Sequence, residues 1–559
     1  MGRKIFKRVS LAVVLSLGLL GGPASSAVAQ TYTVTNLNDT GAAGDGSLRG
    51  ELVAANESPG PDGIAFAPGL AGTITLGGNG LQVKDAVDIE GPGPSVITVA
   101  QSSANRVFHV NLSTAGAVTI AGLHIANGTA PSAGLGGDVF NDPATSIAEV
   151  TISNCLLTGG TAGVGGGIAS TGGAPLTVRS STVSGNSAEE SGGVIALGPF
   201  TIHDSTIAGN TAIEEVGGLG ADPGNASGLI ENSTIAANSS PSTGGATLNV
   251  EESGTIVVRN TTVAGNLSGT FSGGGLFLQT FDAGTIEIVG STISGNRAAS
   301  AQGGGIGVFT GLLSATAGSR LEDTIVAGNS ASGGGADVSG PIAAAFSLIG
   351  DPAGTTITES VPGSDLLGLV PQLGPLQDNG GPTATMALAP SSPAVNNGAA
   401  FGLASDQRGS ARPVLYPGVS ISSAAGADDA DIGAYELQAP PPTPSPPAPQ
   451  QPIPPRFPQV RVSCPKGARP GGCKFKLQVF SAKPHKSKAK GKRGRAKAPV
   501  AESAVAKVKL GPGKSASVTL TPKPKFAARL AAAKSVLVRE VETIKGETRT
   551  SYRRLKVVG

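Results

Sequence analysis

"RSSTVSGNSAEESGGVIAL", Arg179 to Leu197, holds two markers that return down the chain in fixed order. The first is a six-residue motif, and it recurs as STVSGN ending at Asn186, STIAGN at Asn210, STIAAN at Asn238, TTVAGN at Asn266, STISGN at Asn296 and TIVAGN at Asn329, at spacings of 24, 28, 28, 30 and 33 residues. The second is a glycine pair or triplet before an apolar residue, ending at Ile168, Val194, Leu219, Leu276 and Ile306. A third apolar residue stands five positions before the centre of each first motif: Val178 before Val183, Ile202 before Ile207, Ile230 before Ile235, Val258 before Val263 and Ile288 before Ile293. Each unit thus supplies about three short β-prone runs separated by Gly, Asn and Ser turns, with no helical periodicity between them. Such units cannot close a core alone and stack as rungs of a parallel-stranded, all-β solenoid, so that equivalent side chains bury one another along the axis. Val183, Ile207, Ile235, Val263, Ile293 and Val326 form one predicted column, and weaker copies ending at Gly128 and Gly160 extend it upstream. The Asn positions predict a ladder in which each amide bonds the next rung. Glycines are expected where the backbone turns with positive φ, and rung lengths beyond the minimum are expected in loops on one side.

The chain has 559 residues, enough for more than one domain. Its 85 glycines and 3% aromatics suit a repeat protein, while 39% hydrophobic residues exclude disorder for the body. Arg3, Lys4, Lys7 and Arg8 precede the apolar run Val9–Leu20 and the small residues Ala27 and Ala29, the pattern of a secretory signal peptide over residues 1–29. That run is too short to span a bilayer, for which a helix needs about 20 residues, and no later segment does better. Cys464 and Cys473 enclose a short loop suited to a disulfide in an oxidising compartment, and Cys155 reads as a small buried hydrophobe.

Residues 439–458 are a proline-rich linker. It separates bodies of opposite charge: Gln30–Pro458 holds 10 Lys and Arg against 34 Asp and Glu, a net of −24, and Gln459–Gly559 holds 26 against 4, a net of +22. The second body reads as a small β-rich domain from the runs CKFKLQVF, SASVTL and SVLVREVETI, interrupted by the solvated basic stretch Lys483–Pro499. Export and the lack of interleaved aromatics argue against nucleic acid as its partner and for an anionic envelope polymer, polysaccharide or lipid head group, with a purely solubilising loop as the alternative.

The repeat region, residues 30–438, resembles the exported right-handed parallel β-helix proteins of the pectin-lyase-like class, and its handedness rests on that resemblance. GDGSLRGELVAANESPGPDGIAF, Gly44–Phe66, resembles a CSLREA-type N-terminal cap, with Gly46 where that pattern has Cys. The segment from Leu373, then DQRG from Asp406 and DIGAYE from Asp431, is similar to the C-terminal end of the bacterial choice-of-anchor Q proteins. In that family varied anchoring segments follow the β-helix, which implies an anchoring role for the basic domain; no sortase-type motif is present. The residues agree with capped ends, since Leu48–Asn56 places Leu48, Leu52, Val53 and Ala55 on one side of an amphipathic helix able to cover the first rung.

The chemistry-bearing candidates are few. Lyases of this fold class combine calcium-holding Asp residues with a basic proton acceptor, and hydrolases use paired carboxylates. Between Asp138 and Asp337 the available groups are Arg179, Arg259, Arg297, Arg320 and the dyad His203–Asp204. Arg179, His203 and Arg259 hold equivalent places in their rungs and read as an outward column rather than a site. One calcium-type match, GGGADVSG around Asp337, excludes an array of such sites and leaves one isolated ion open. Arg408, Asp431 and Glu436 read as an ion-paired end cap. The expectation is therefore a secreted or surface-displayed structural or adhesive protein with no catalytic, cofactor-binding or metal-binding residue assigned and no cofactor. The alternative is a polysaccharide-active enzyme, lyase before hydrolase; glycan binding without cleavage is disfavoured by the scarcity of aromatics.

Overall fold

A computed structural model describes residues 29–142, 147–271, 273–310, 318–439, 459–468, 470–480, 503–526, 535–544 and 546–556. The segment up to residue 28, read from the sequence as a signal peptide, nearly all of the proline-rich linker and the basic stretch Lys483–Pro499 lie outside them. The chain forms two compact units, residues 1–440 and 441–559.

The first unit is a parallel β-solenoid of about 11 turns. In one turn, Leu176–Arg179, Thr182–Ser184, Ser187–Ala188 and Val194–Ala196 follow in order. The two-residue strand is an addition to the three expected runs and is too short to show an alternating pattern. The strands of the rungs pair in parallel with their equivalents one rung away: Val183 lies opposite Leu157 and Ile207, Val178 opposite Ile152 and Ile202, and Val194 opposite Ile168 and Leu219. The predicted column from Val183 to Val326 is fully buried, at most 1% exposed, and continues upstream through Leu157, Ile125, Val99 and Ile74. Rungs grow partly by lengthening strands, as Ala246–Val250 has five residues where Val194–Ala196 has three. Growth of this kind keeps the added backbone hydrogen-bonded.

The glycines do two jobs. Positive φ belongs to the residue before the ladder Asn: Gly185 (+64°), Gly209 (+64°), Gly265 (+66°), Gly295 (+71°) and Gly328 (+73°), with Ala237 forced to +54° in the one copy that lacks Gly. The glycine pairs instead answer to close approach. A Cβ on Gly192 would collide with the carbonyls of Thr211 and Gly217 in the adjoining rung.

Two polar ladders run inside this packing. In the first, Asn210 Oδ1 accepts the backbone N–H and the side-chain amide of Asn186, each at 3.0 Å, and the pattern repeats through Asn238, Asn266, Asn296 and Asn329. It ends at Asp337, whose Oδ1 takes both donors of Asn329. In the second, the N–H of Cys155 donates to Ser181 Oγ, that of Ser181 to Ser205 and that of Ser205 to Ser233; further on, Thr261, Ser291, Thr324 and Ser347 continue the series. Cys155 is buried as expected, and its thiol donates to the carbonyls of Ile120 and Ser153. Its burial pushes the thiol up to about 11, so it stays protonated.

A helix, Leu48–Glu57, packs against the first strands with Leu48, Leu52 and Ala55 buried, while Val53 is half-buried. Ser47 caps it by accepting the N–H of Gly50, and Glu51 accepts that of Gly46. Gly46 sits at φ +82°, a conformation that suits Gly and would strain a Cys there.

The second unit contains two antiparallel sheets. Gln459–Ser463 pairs with Ser515–Thr519, and a four-stranded sheet runs in the order Ala506–Leu510, Cys473–Phe480, Ser535–Ile544, Glu547–Lys556. Cys464 and Cys473 form a disulfide with a Cα–Cα distance of 5.6 Å beside a core of Phe475, Leu477, Val479, Val536 and Val538.

Candidate functional site

Register brings part of the predicted polar set together. Arg179 lies opposite His203, His203 opposite Glu231, and Glu231 opposite Arg259 on the outward side of one sheet. His203 bridges Asp204 at 3.0 Å and Glu231 at 3.2 Å, and Glu231 holds Arg259 at 2.6 Å. Arg320 stands in the neighbouring column, paired with Glu287 at 2.6 Å and Glu322 at 3.3 Å. Arg297 is elsewhere, exposed on the two-residue strand Arg297–Ala298. The pairs His203–Glu231, Glu231–Arg259 and Glu287–Arg320 join consecutive rungs along the axis, and His203–Asp204 and Arg320–Glu322 lie within one rung. Asp204 reaches its position because it occupies the left-handed corner between two strands, at φ +50°, as Asn154, Asn232 and Asn260 do in their rungs.

Asp337 has both oxygens engaged: Oδ1 accepts from Asn329 and Oδ2 from the N–H of Asp351 at 2.6 Å. Burial raises its pKa. Among the described residues no group of three or more His, Cys, Asp or Glu is placed to hold a metal ion.

Sequence reasoning missed an acidic corner. Glu189 and Glu190 lie in one rung and Glu214 and Glu215 in the next, beside a groove of about 300 Å³ lined by Thr129, Thr161, Ser187, Glu189 and Ile213. Burial, reinforced by Glu190 and Glu214, pushes the Glu215 carboxyl up to about 7. Doubled carboxylates in AEESGG and AIEEVGG were the available signal.

The C-terminal motifs do form an ion-paired unit, but its wiring and its place differ from the expectation. Arg408 pairs with Asp406 at 2.6 Å, donates to the carbonyl of Glu436, and stacks on the Tyr435 ring at 3.6 Å. Glu436 instead takes Arg412, at 2.8 Å; Arg412 also faces Asp323 at 3.3 Å and donates to the carbonyl of Asp431. The Asp431 carboxylate accepts the N–H groups of Asn396 and Leu437. Arg412, Asp323, Glu436 and Asp431 are all nearly or fully buried. Desolvation, then repulsion from Glu436, pushes Asp431 up to about 7, and desolvation raises Asp323 well above the usual carboxylate range. One guanidinium shared among three buried carboxyls leaves the charged forms disfavoured relative to water.

This unit lies along the flank of the solenoid rather than across its end. Thr383 Oγ1 donates to the carbonyl of Asn232, Gln407 bridges Ser233 and Thr262, Asn260 donates to the carbonyl of Ser405, the N–H of Ala434 reaches Thr292, and Asp323 Oδ1 accepts from Ala399. Residues 383–434 thus strap four successive corners together. The corners offer carbonyls and hydroxyls that pairing within the sheets leaves over, and the strap satisfies them.

No protein-family model matches the chain, and no curated protein matches it. Among solved structures, the chain is similar to the A-module of mannuronan C-5 epimerase AlgE6 from Azotobacter vinelandii. The two are 14% identical at a TM-score of 0.30, over 61% of this chain and 96% of that one.

Proposed function

We propose that the chain is an exported, non-enzymatic structural or adhesive protein, its solenoid displayed at a bacterial envelope and its basic C-terminal domain holding it there by charge. The observation that carries this reading is the mutual pairing of His203, Asp204, Glu231 and Arg259, along one face of adjoining rungs, which commits these groups to one another instead of converging them on a cleft. A body of net charge −24 also repels acidic polymers, whereas the C-terminal body at +22 attracts them. The similarity of residues 373–437 to choice-of-anchor proteins supports the same division of labour.

Fractionation tests it. The full-length chain is expected in the envelope fraction and released by high salt, with a chain ending at Ala439 free in the medium. Accumulation of both in the medium would remove the anchoring role. The competing reading, a polysaccharide lyase, predicts unsaturated ends after incubation with acidic polysaccharide and calcium, lost in Arg179→Ala or Asp204→Ala.

A further inference from the structure

The four-stranded sheet of the C-terminal unit has two chemically distinct faces. One directs Phe475, Leu477, Val479 and Val538 into the core, and the register puts Glu540, Glu542 and Glu547 on that same side. The other carries Lys474, Lys476, Lys507, Lys509, Arg539 and Arg554, and no acidic residue of the described strands. Lys474 lies directly opposite Lys509, and Lys476 directly opposite Lys507. All four lysines are exposed.

Like charges placed opposite each other across a strand pair destabilise a sheet. Two such pairs side by side are a cost to the fold that an anionic ligand would offset. We propose that this face is the docking surface for a linear acidic polysaccharide. The inference deepens the anchoring reading and rests on it. Neighbouring strands are about 4.8 Å apart and alternate residues about 6.8 Å, so the face presents a fixed lattice of cations suited to a polymer with an anion on each closely spaced unit. Tyr552, 54% exposed and opposite Arg539, adds a flat ring beside the cations on which a sugar can lie. A lipid surface would call for exposed apolar side chains able to enter the acyl boundary, whereas the apolar residues of this face, Phe480, Leu537 and Val541, are buried or half-buried.

The test uses the full mature chain and polygalacturonate in roughly 0.1 M salt, where exposed charges still act over about 10 Å. The variant K474Q/K476Q/K507Q/K509Q is expected to bind at least about tenfold more weakly, each cation near an anionic surface contributing separately, and to show a shallower dependence of affinity on salt. Its C-terminal unit is expected to melt at a higher temperature than that of the unchanged chain, which a merely structural role for the lysines would not produce. A control, K486Q/K488Q/K490Q/K492Q in the basic stretch, is expected to retain most of the affinity. Loss of binding in the control but not in the face variant would overturn the proposal, as would absence of polygalacturonate binding or a preference for phosphatidylglycerol vesicles. Envelope retention without polygalacturonate binding would sink this inference and leave the anchoring reading standing; polygalacturonate binding by a chain found in the medium would do the reverse.

Discussion

Replacing Asn238 by Ala cuts the asparagine ladder at mid-length. Its Oδ1 accepts the backbone and side-chain N–H groups of Asn210 at 3.0 Å each, and its Nδ2 donates to the carbonyl of Ile207 at 2.9 Å and to Asn266 Oδ1 at 3.0 Å. All four bonds lie in a fully buried setting, and the Asn210 backbone N–H loses its acceptor where water does not reach. With about 0.5–1.5 kcal/mol per bond and a larger cost for an orphaned buried donor, the expected destabilisation is about 3–5 kcal/mol. Asn210→Ala shares one bond with it, so the double variant should fall short of additivity by about 1 kcal/mol. Asn238→Asp sets a sharper condition. Its second oxygen faces two acceptors and is tolerated only when protonated, so the aspartate's folded pKa is raised. The stability of that variant should be greatest below pH ~4 and lost as pH rises. Denaturant unfolding measures the totals, and amide exchange should localise the loss to neighbouring rungs, because a solenoid couples mainly nearest neighbours. A loss below about 1 kcal/mol for Asn238→Ala, or strict additivity with Asn210→Ala, would show that the ladder is not a bonded chain.

Arg412→Leu leaves Asp323, Glu436 and Asp431 without their cation and is expected to cost about 3–5 kcal/mol, read as faster proteolysis within residues 373–437 while amide protection in the upstream rungs persists. Unchanged proteolysis would refute the strap's dependence on that pair. Glu215→Gln isolates one titration. The raised folded pKa of Glu215, about 7, means that its wild-type contribution is present below its ordinary range and lost as pH rises toward 7. The variant should match wild type at pH ~4.5 and exceed it by about 1 kcal/mol above pH ~7, after discounting for solvent at this half-buried site. A difference independent of pH would contradict this.

Much of the solenoid was legible because a covalent repeat writes its register into the spacing: once Val183 and Ile207 are aligned, the neighbours of both follow. The second ladder was visible as well, in the Ser181, Ser205 and Ser233 that open each motif, but Ser before a strand reads first as a turn former. Arg412 was not legible. Its partner Asp323 lies 89 residues upstream and becomes a partner only when the strap docks on the flank, an event governed by leftover corner carbonyls rather than by any local pattern. The opposed lysines of the C-terminal sheet likewise depend on a pairing between Cys473–Phe480 and Ala506–Leu510 that alternation within each strand cannot specify. The acidic corner showed only as doubled carboxylates in two successive units, since stacking is what brings Glu190 beside Glu214 and Glu215.

The asparagine ladder also has a direction. Every side-chain amide from Asn186 to Asn329 points its N–H toward the following rung, so their dipoles add head to tail and the column carries partial positive charge at its far end. Asp337 stands at that end with a carboxylate that receives two N–H groups from Asn329 and a third from Asp351 and, when ionised, has none to pass on. An asparagine there would both accept and donate and so pass the ladder on; an aspartate only accepts. The amide column thus ends on a group that only accepts, oriented so that its field favours the terminating charge, while the parallel strands continue past it through Leu348–Ile349 and Leu366–Leu367 without that ladder.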